Sequence, residues 1–185
     1  MGLVACDARL RGPDGDLPGT YLEQFRRSVA PLTLERVLAR NCIYVSTLVP
    51  AAVGAEVGWF APELFGTEDH DLWVRILETG RRAVLNDEVL AVYRKGAGSV
   101  SSNIARQGAN NQKTYRRALE RGRLTRRQER VARRELRYNR AMEAMAAAWF
   151  DRSPGRAVRS LPNMVWVAAT RPDHWREWFA VLRTP

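Results

Sequence analysis

The chain has 185 residues, of which 45% are hydrophobic and 27% charged, and its formal net charge at pH 7 is +10. This composition is ordinary for a globular protein that buries a core. No apolar run approaches the roughly 18 residues of a membrane span.

The charge is unevenly distributed along the chain. Residues 1–103 carry 11 Lys and Arg against 13 Asp and Glu, a net charge of −2. Residues 104–185 carry 19 against 7, a net charge of +12. We therefore expect two regions, 1–103 and 104–185, and only the second has the charge to attract a polyanionic partner.

The first region alternates between strand and helix patterns. The expected elements are a strand over 2–10, a loop over 11–19, a helix over 33–41, a buried strand over 42–49, a short helical piece within 50–66, a helix over 68–80, and two short strands at 82–87 and 89–95. Thr33 is the expected N-cap of the first helix, and Gly80 is expected to end the helix that begins at Glu68. This alternation predicts an α/β layered fold.

The second region is helical in pattern throughout. One helix is expected to end at Gly122, and Thr125 with Gln128 has the spacing of a capping box that opens a helix reaching about Phe150. Ser153-Pro154 and Arg171-Pro172 predict the starts of two more helices. An all-α region therefore follows the α/β region.

The two cysteines, Cys6 and Cys42, each lie inside or beside an apolar run, and no CxxC motif or histidine cluster accompanies them. This arrangement favours buried free thiols in a reducing cytoplasm over a disulfide or a zinc site.

The stretch "GTEDHDLW" places three carboxylates within four consecutive residues, Glu68, Asp69 and Asp71. One interpretation is a helix start, with Thr67 as the N-cap and acidic side chains that complement the helix dipole. The other is catalytic. Asp69 falls on the apolar stripe that includes Trp73, so burial would raise its pKa and make it a stronger base. Glu68 and Asp71 point away from that stripe and fit the helix start.

Two Asp-x-Asp pairs could suggest a divalent cation site. Asp69 and Asp71 are expected on a helix, where residues i and i+2 point roughly 200° apart and cannot readily share an ion. Asp14 and Asp16 lie in a Pro/Gly turn, so we interpret them as turn residues. Neither pair predicts a metal site, and His70 is expected to face solvent.

The segment Lys113–Arg140 holds 12 Lys and Arg against three Glu. It could bind nucleic acid or an anionic membrane. A solvated helical face, with arginine stems covering apolar surface, is favoured because no recognised nucleic-acid module is present.

Four stretches of the first region, in order, resemble a known family: "DARL…DGD…G", "LERVLARNCIYVSTLV", "EVGWFAPELFGTEDHDLWVRILETG" and "VLAVYRKGAGSVSSN". Together they resemble the C-terminal half of the catalytic domain of a family 2 glycosyltransferase, over roughly residues 2–103. That family has the GT-A fold, a nucleotide-binding sheet followed by an acceptor-binding part.

The resemblance implies an inverting, hexosyltransferase-like transfer from a nucleotide sugar to an acceptor hydroxyl, with Asp69 as the general base. It further implies acceptor contacts from Glu68 and Trp73. Arg94 and Lys95 would balance the charge of the donor diphosphate, and the loop that contains them would close over it. The implied partners are a nucleotide sugar and a glycan or lipid-linked acceptor.

The sequence also departs from the family. The donor-binding half and the Asp-x-Asp motif would precede Gly2, so the expectation is a truncated domain, doubtful activity, and an Mg²⁺ or Mn²⁺ cofactor whose ligands this chain does not contain. We expect a cytoplasmic location. Peripheral contact of the basic helices with the inner face of the cell membrane is a second possibility. The competing interpretation is a non-enzymatic α/β module whose Arg-rich helices bind nucleic acid or anionic membrane, and nucleic acid is the less favoured partner.

Overall fold

A computed structural model describes residues 1–25, 31–96, 104–150 and 154–170, which form a mixed four-stranded sheet and six α-helices. The strands are β1 (Leu3–Gly12), β2 (Gly15–Thr20), β3 (Thr47–Leu48) and β4 (Ala83–Arg94). The helices are α1 (Leu34–Ala39), α2 (Ala51–Val57), α3 (Glu68–Glu78), α4 (Ile104–Glu120), α5 (Arg126–Phe150) and α6 (Pro154–Thr170). The predicted α/β class, followed by helices, is confirmed at this level over the described residues.

Strand β1 is the centre of the sheet. β4 runs parallel to it over almost its whole length, from the pair Leu3 and Ala83 to the pair Arg11 and Arg94. β3 and β2 pair antiparallel with the beginning and the end of β1, respectively. Because β4 occupies one edge of β1, the two short strands must lie along the other edge.

The structure differs from the predicted strands in three places. The predicted loop over 11–19 holds the end of β1 and most of β2, because a two-residue turn after Gly12 lets the chain pair back at Gly15, whose φ of +129° suits glycine. The predicted buried strand over 42–49 was wrong except at β3, where the chain pairs with only two residues of β1. The two strands predicted over 82–95 form one strand, whose register with β1 shifts on either side of Asp7.

Helix α3 confirms its prediction from periodicity. Leu72, Trp73, Ile76 and Leu77 are all buried, and Gly80 follows the helix with a φ of +80°. These side chains share one core with residues of β1, α1, α4 and α5, including Leu3, Val37, Leu38, Tyr115, Ala118 and Ala132. The sheet and the first two helices of the basic region are therefore packed together.

The start of α5 confirms the predicted capping box. The Thr125 amide donates to Gln128 Oε1 at 2.8 Å, and the Gln128 amide donates to Thr125 Oγ1 at 3.3 Å. Gly122 has a φ of +65°, as the predicted end of the preceding helix requires. Pro154 begins α6. Ser153 and the helix predicted from Arg171 lie outside the described residues.

Two further expectations from the sequence have clear outcomes. Thr33 caps α1, its Oγ1 accepting from the Arg36 amide at 3.3 Å. Cys6 and Cys42 are buried free thiols. Among the described helices, none combines the length and the apolar character that crossing a bilayer requires.

Candidate active site

The N-terminal end of α3 borders a cavity of about 340 Å³. Its walls come from four parts of the chain: the corner after β2, the loop after α1, the end of β4 and the first turns of α4. Asp69 lies in this wall, together with Gly66 and Thr67. The volume falls within the range of small-molecule sites, roughly 300 to 1,000 Å³.

Asp69 is partly buried and held in place by two hydrogen bonds. Its Oδ1 accepts from the His70 amide at 2.6 Å, and its Oδ2 accepts from Asn41 Nδ2 at 3.2 Å. Burial raises the pKa of Asp69, while interactions with His70 and Asn41 partly oppose that rise. The result is a fixed carboxylate with an increased affinity for a proton.

Asn41 also carries an unpaired carbonyl oxygen in this wall. Its Oδ1 is buried and has no hydrogen-bond partner among the described residues. A buried carbonyl oxygen without a partner costs free energy, so it is an available acceptor for a ligand hydroxyl.

Three tyrosines form an aromatic wall of the cavity. The ring centroids of Tyr21, Tyr44 and Tyr93 lie 5.2 to 5.6 Å apart, in tilted or edge-to-face contact. Tyr44 donates from its hydroxyl to the Val92 carbonyl at 3.2 Å. Burial raises the pKa of both Tyr21 and Tyr44, so these hydroxyls stay protonated at neutral pH.

Tyr21 is positioned by a buried carboxylate. Asp7 Oδ1 accepts from the Leu22 amide at 2.9 Å, and the Tyr21 amide donates to the Ala8 carbonyl at 2.8 Å. These bonds fix the corner after β2 against β1. They bring the Tyr21 ring to the cavity, where sequence reasoning did not place it.

The remaining wall contains two carboxamides of α4, Gln107 and Asn111, which are four residues apart and so share one helix face. Asn111 Nδ2 donates to Asn139 Oδ1 at 3.2 Å, and Asn139 Nδ2 donates to the Glu135 carbonyl at 2.9 Å. This relay orients Asn111 and leaves its Oδ1 as an acceptor. Sequence reasoning missed both residues, although the amide-rich run "RQGANNQ" was a signal of a polar face.

The structure brings only some of the predicted site residues together. Glu68 does not line the cavity, but its carboxylate accepts from the amide of Gly66, which does. Lys95 Nζ donates to Gln24 Oε1 at 2.7 Å, so it reaches the cavity wall through Gln24. Arg94 is exposed at the end of β4. Most of the loop beyond it, residues 97–103, lies outside the described residues.

Trp73 requires a correction. Its side chain is 1% exposed and belongs to the main core cluster, and it does not line the cavity. One helical turn separates it from Asp69, and that turn carries it beneath the cavity wall. Trp73 therefore has no surface with which to contact an acceptor.

Asp71 lies in the first turn of α3, as the helix-start interpretation predicts. Its side chain has a further role that the sequence did not show, because it is fully buried and faces three arginines. Its carboxylate lies 2.7 Å from Arg75 Nε, 3.6 Å from Arg117 Nε and 3.7 Å from Arg121 Nη1. Because Arg117 belongs to α4 and Arg121 follows its last residue, Asp71 links α3 to the C-terminal end of α4.

The prediction for His70 was wrong, and the prediction for Thr67 holds for its N-cap position but not for a side-chain cap. Thr67 does not cap α3 with its side chain, because its hydroxyl donates to the Leu64 carbonyl at 3.3 Å. His70 is 2% exposed rather than solvent-facing. Its Nε2 lies 2.8 Å from the Val37 carbonyl, so that nitrogen is the donor.

The described residues do not fit a divalent cation of the kind that the family resemblance implies. No group of three His, Cys, Asp or Glu side chains comes together among them. The Asp71 carboxylate is occupied by arginines, and Asp16 pairs with Arg11 at 2.7 Å and Arg9 at 3.3 Å. The chemistry proposed below for these residues therefore involves no metal ion.

Comparisons with known proteins give no match: no family model, no curated protein and no solved structure aligns significantly with this chain. The resemblance to family 2 glycosyltransferases therefore stays a prediction.

Proposed function

We propose that this chain acts on the acceptor side of a glycosyl transfer, with Asp69 as the general base. In the proposed step, Asp69 takes the proton from an acceptor hydroxyl as that oxygen bonds to the anomeric carbon of a nucleotide sugar. The bond from that carbon to the diphosphate oxygen breaks, and the nucleoside diphosphate leaves with the electron pair. Attack from the face opposite the leaving group inverts the anomeric centre.

The observation that carries this proposal is the desolvated carboxylate of Asp69 in the wall of an open cavity. A carboxylate taken out of water binds a proton more tightly, which makes it a better base towards an alcohol. The Asn41 amide holds one oxygen, so the carboxylate is oriented before any ligand arrives.

The other walls support a saccharide as the acceptor. Aromatic rings pack against the C–H faces of a sugar ring, and the wall of Tyr21, Tyr44 and Tyr93 offers such a surface. Across from a sugar bound there, Gln107 and Asn111 present carboxamides that can exchange hydrogen bonds with its hydroxyls. A neutral ring with several hydroxyls satisfies both surfaces.

Lys95 and Arg94 support the donor side of the proposal. Lys95 is tied to the cavity wall through Gln24, and Arg94 precedes it on the exposed end of β4. Positive charge at this edge would stabilise the negative charge that develops on a departing diphosphate.

Two measurements test the proposal. Methyl hexosides titrated into isotope-labelled protein should shift NMR resonances of the cavity residues, including Asp69 and the three tyrosines. A panel of nucleotide sugars with glycoside acceptors, assayed with the chain joined to a donor-binding half of the predicted family, should release nucleoside diphosphate. Asp69→Asn should lower that release by roughly 10²- to 10⁴-fold while glycoside binding persists.

The matched control is Asp87→Asn, which removes a carboxylate from an exposed position on β4. It should leave both readouts unchanged. Turnover that survives Asp69→Asn would overturn the role of the base, and the absence of both glycoside binding and turnover would overturn the proposed function.

A further inference from the structure

Five arginines of α5 form a continuous stripe along the helix. They are Arg126, Arg130, Arg133, Arg137 and Arg140, and all of them are exposed. Their spacing alternates between four and three residues, which places them on one face of the helix. At 1.5 Å per residue the stripe is about 21 Å long. We call this set the α5 arginine stripe.

The stripe carries little counter-charge. Within the described part of the chain, its one carboxylate partner is Glu129, which lies 3.6 Å from Arg133 in an exposed pair. The other acidic residues of α5 face elsewhere: Glu135 is 2% exposed, and Glu143 accepts a hydrogen bond from Gln112. The stripe is therefore a line of net positive charge.

Two arginines at and just after the C-terminal end of α4 behave differently. Arg117 approaches Glu63 and Asp71, and Arg121 binds Glu78 at 2.6 Å. Those side chains neutralise carboxylates inside the protein. Arg126, Arg130 and Arg140 serve no such carboxylate among the described residues, so internal ion pairing does not account for them.

The stripe lies on the outward side of a packed helix. The opposite side of α5 is buried, with Ala132, Tyr138 and Met142 packed in hydrophobic clusters. The outward side therefore presents a single line of guanidinium groups to solvent. Such a line can contact a plane of phosphates, which arginine binds with two hydrogen bonds.

An aromatic side chain lies beside the stripe. The Arg137 guanidinium sits 4.2 Å from the centroid of the Trp166 ring on α6. Tryptophan and arginine side chains together are favoured where a protein meets the headgroup layer of a bilayer.

We propose that the α5 arginine stripe docks the protein onto membranes of anionic phospholipid. The attraction is electrostatic, and it falls with ionic strength because the exposed charges are screened. This inference is independent of the proposed glycosyl transfer, since none of its residues lines the cavity.

The test is co-sedimentation of the full chain with vesicles of phosphatidylcholine that contain phosphatidylserine, compared with vesicles of phosphatidylcholine alone. Only the anionic vesicles should bind, and added salt should release the protein. The double variant Arg130→Gln with Arg140→Gln should weaken the partition coefficient roughly 30-fold, because each basic residue at a membrane surface contributes roughly fivefold.

The control variant removes the same charge away from the stripe, through Arg82→Gln and Lys113→Gln, which are both exposed. It should retain most of the binding, and circular dichroism should show both variants folded. Equal losses for the two double variants would mean that net charge alone drives binding, which overturns the proposal. So would no binding to anionic vesicles, or tighter binding to duplex DNA than to the vesicles.

Discussion

Helix α3 carries one aspartate on the side that faces the cavity and another on the side that faces the core, and the two have different surroundings. Asp69 and Asp71 are two residues apart, so their side chains point roughly 200° apart around the helix. Asp69 meets an open cavity, one amide side chain and an aromatic wall. Asp71 meets Arg75, Arg117 and Arg121 and has no exposed surface.

The difference shows that the neighbours of a buried carboxylate decide what it can do. Around Asp71, three guanidinium groups form ion pairs with the carboxylate, and the group serves as a link between elements of the fold. Around Asp69, burial makes ionisation harder and raises the pKa. A carboxylate in the second environment can take up a proton from a ligand, whereas one in the first environment is committed to its ion pairs.

The largest expected effect on stability comes from removing the buried carboxylate on the core side of α3. Asp71→Ala would leave three partly buried arginines facing one another without their shared carboxylate. We expect the free energy of unfolding to fall by about 3 kcal/mol, the lower end of what removing one partner of a buried ion pair costs. Urea unfolding followed by circular dichroism measures this change.

The matched control for that prediction is Asp87→Ala on the exposed part of β4, which should stay within about 0.5 kcal/mol of the parent. If Asp71→Ala lowered the free energy of unfolding no more than this control, Asp71 would not be the link between α3 and α4.

The sequence predicted the features that depend on neighbouring residues and missed those that depend on residues far apart in the chain. The bounds of α3, its stop at Gly80 and the capping box at Thr125 depend on residues within a few positions, and all were predicted. Arg75 is a local partner of Asp71 at i+4, but Arg117 and Arg121 are 46 and 50 positions away, so no local pattern could reveal those two. The helix-start interpretation gave the position of Asp71 in the first turn of α3 correctly, but it did not reveal the ion pairs.

The cavity was predictable only in part for the same reason. Asp69 stood out because it shares a stripe with apolar residues, and the structure places it in the cavity wall. Tyr21, Tyr44 and Tyr93 come from three separate parts of the chain, and only the pairing of β1 with β2 and β4 brings them together. The exposure of Val45 and Leu48 was likewise hidden, since an apolar β-branched run predicts burial in sequence.

A smaller effect is expected on the cavity side, in the pH dependence of stability. The raised pKa of Asp69 means that the folded state binds this proton more tightly than the unfolded state. The unfolding free energy should therefore decrease as pH rises between the ordinary aspartate value and the raised one. Asp69→Asn removes that decrease, so near neutral pH the variant should be as stable as the parent or slightly more stable.

Urea unfolding of the parent and of Asp69→Asn, repeated from acidic to neutral pH, measures this difference. A variant that is less stable than the parent at neutral pH would mean that the Asp69 carboxylate stabilises the fold, as the Asp71 carboxylate is expected to do. The two aspartates would then not differ in the way proposed here.

The most direct test of Asp69 as a base is a carbon-13 NMR titration of its carboxyl group, with and without a methyl hexoside. We predict a midpoint above the usual range of an aspartate, moving further upwards when the glycoside displaces water from the cavity. A midpoint at or below that range, unchanged by any glycoside, would contradict the account.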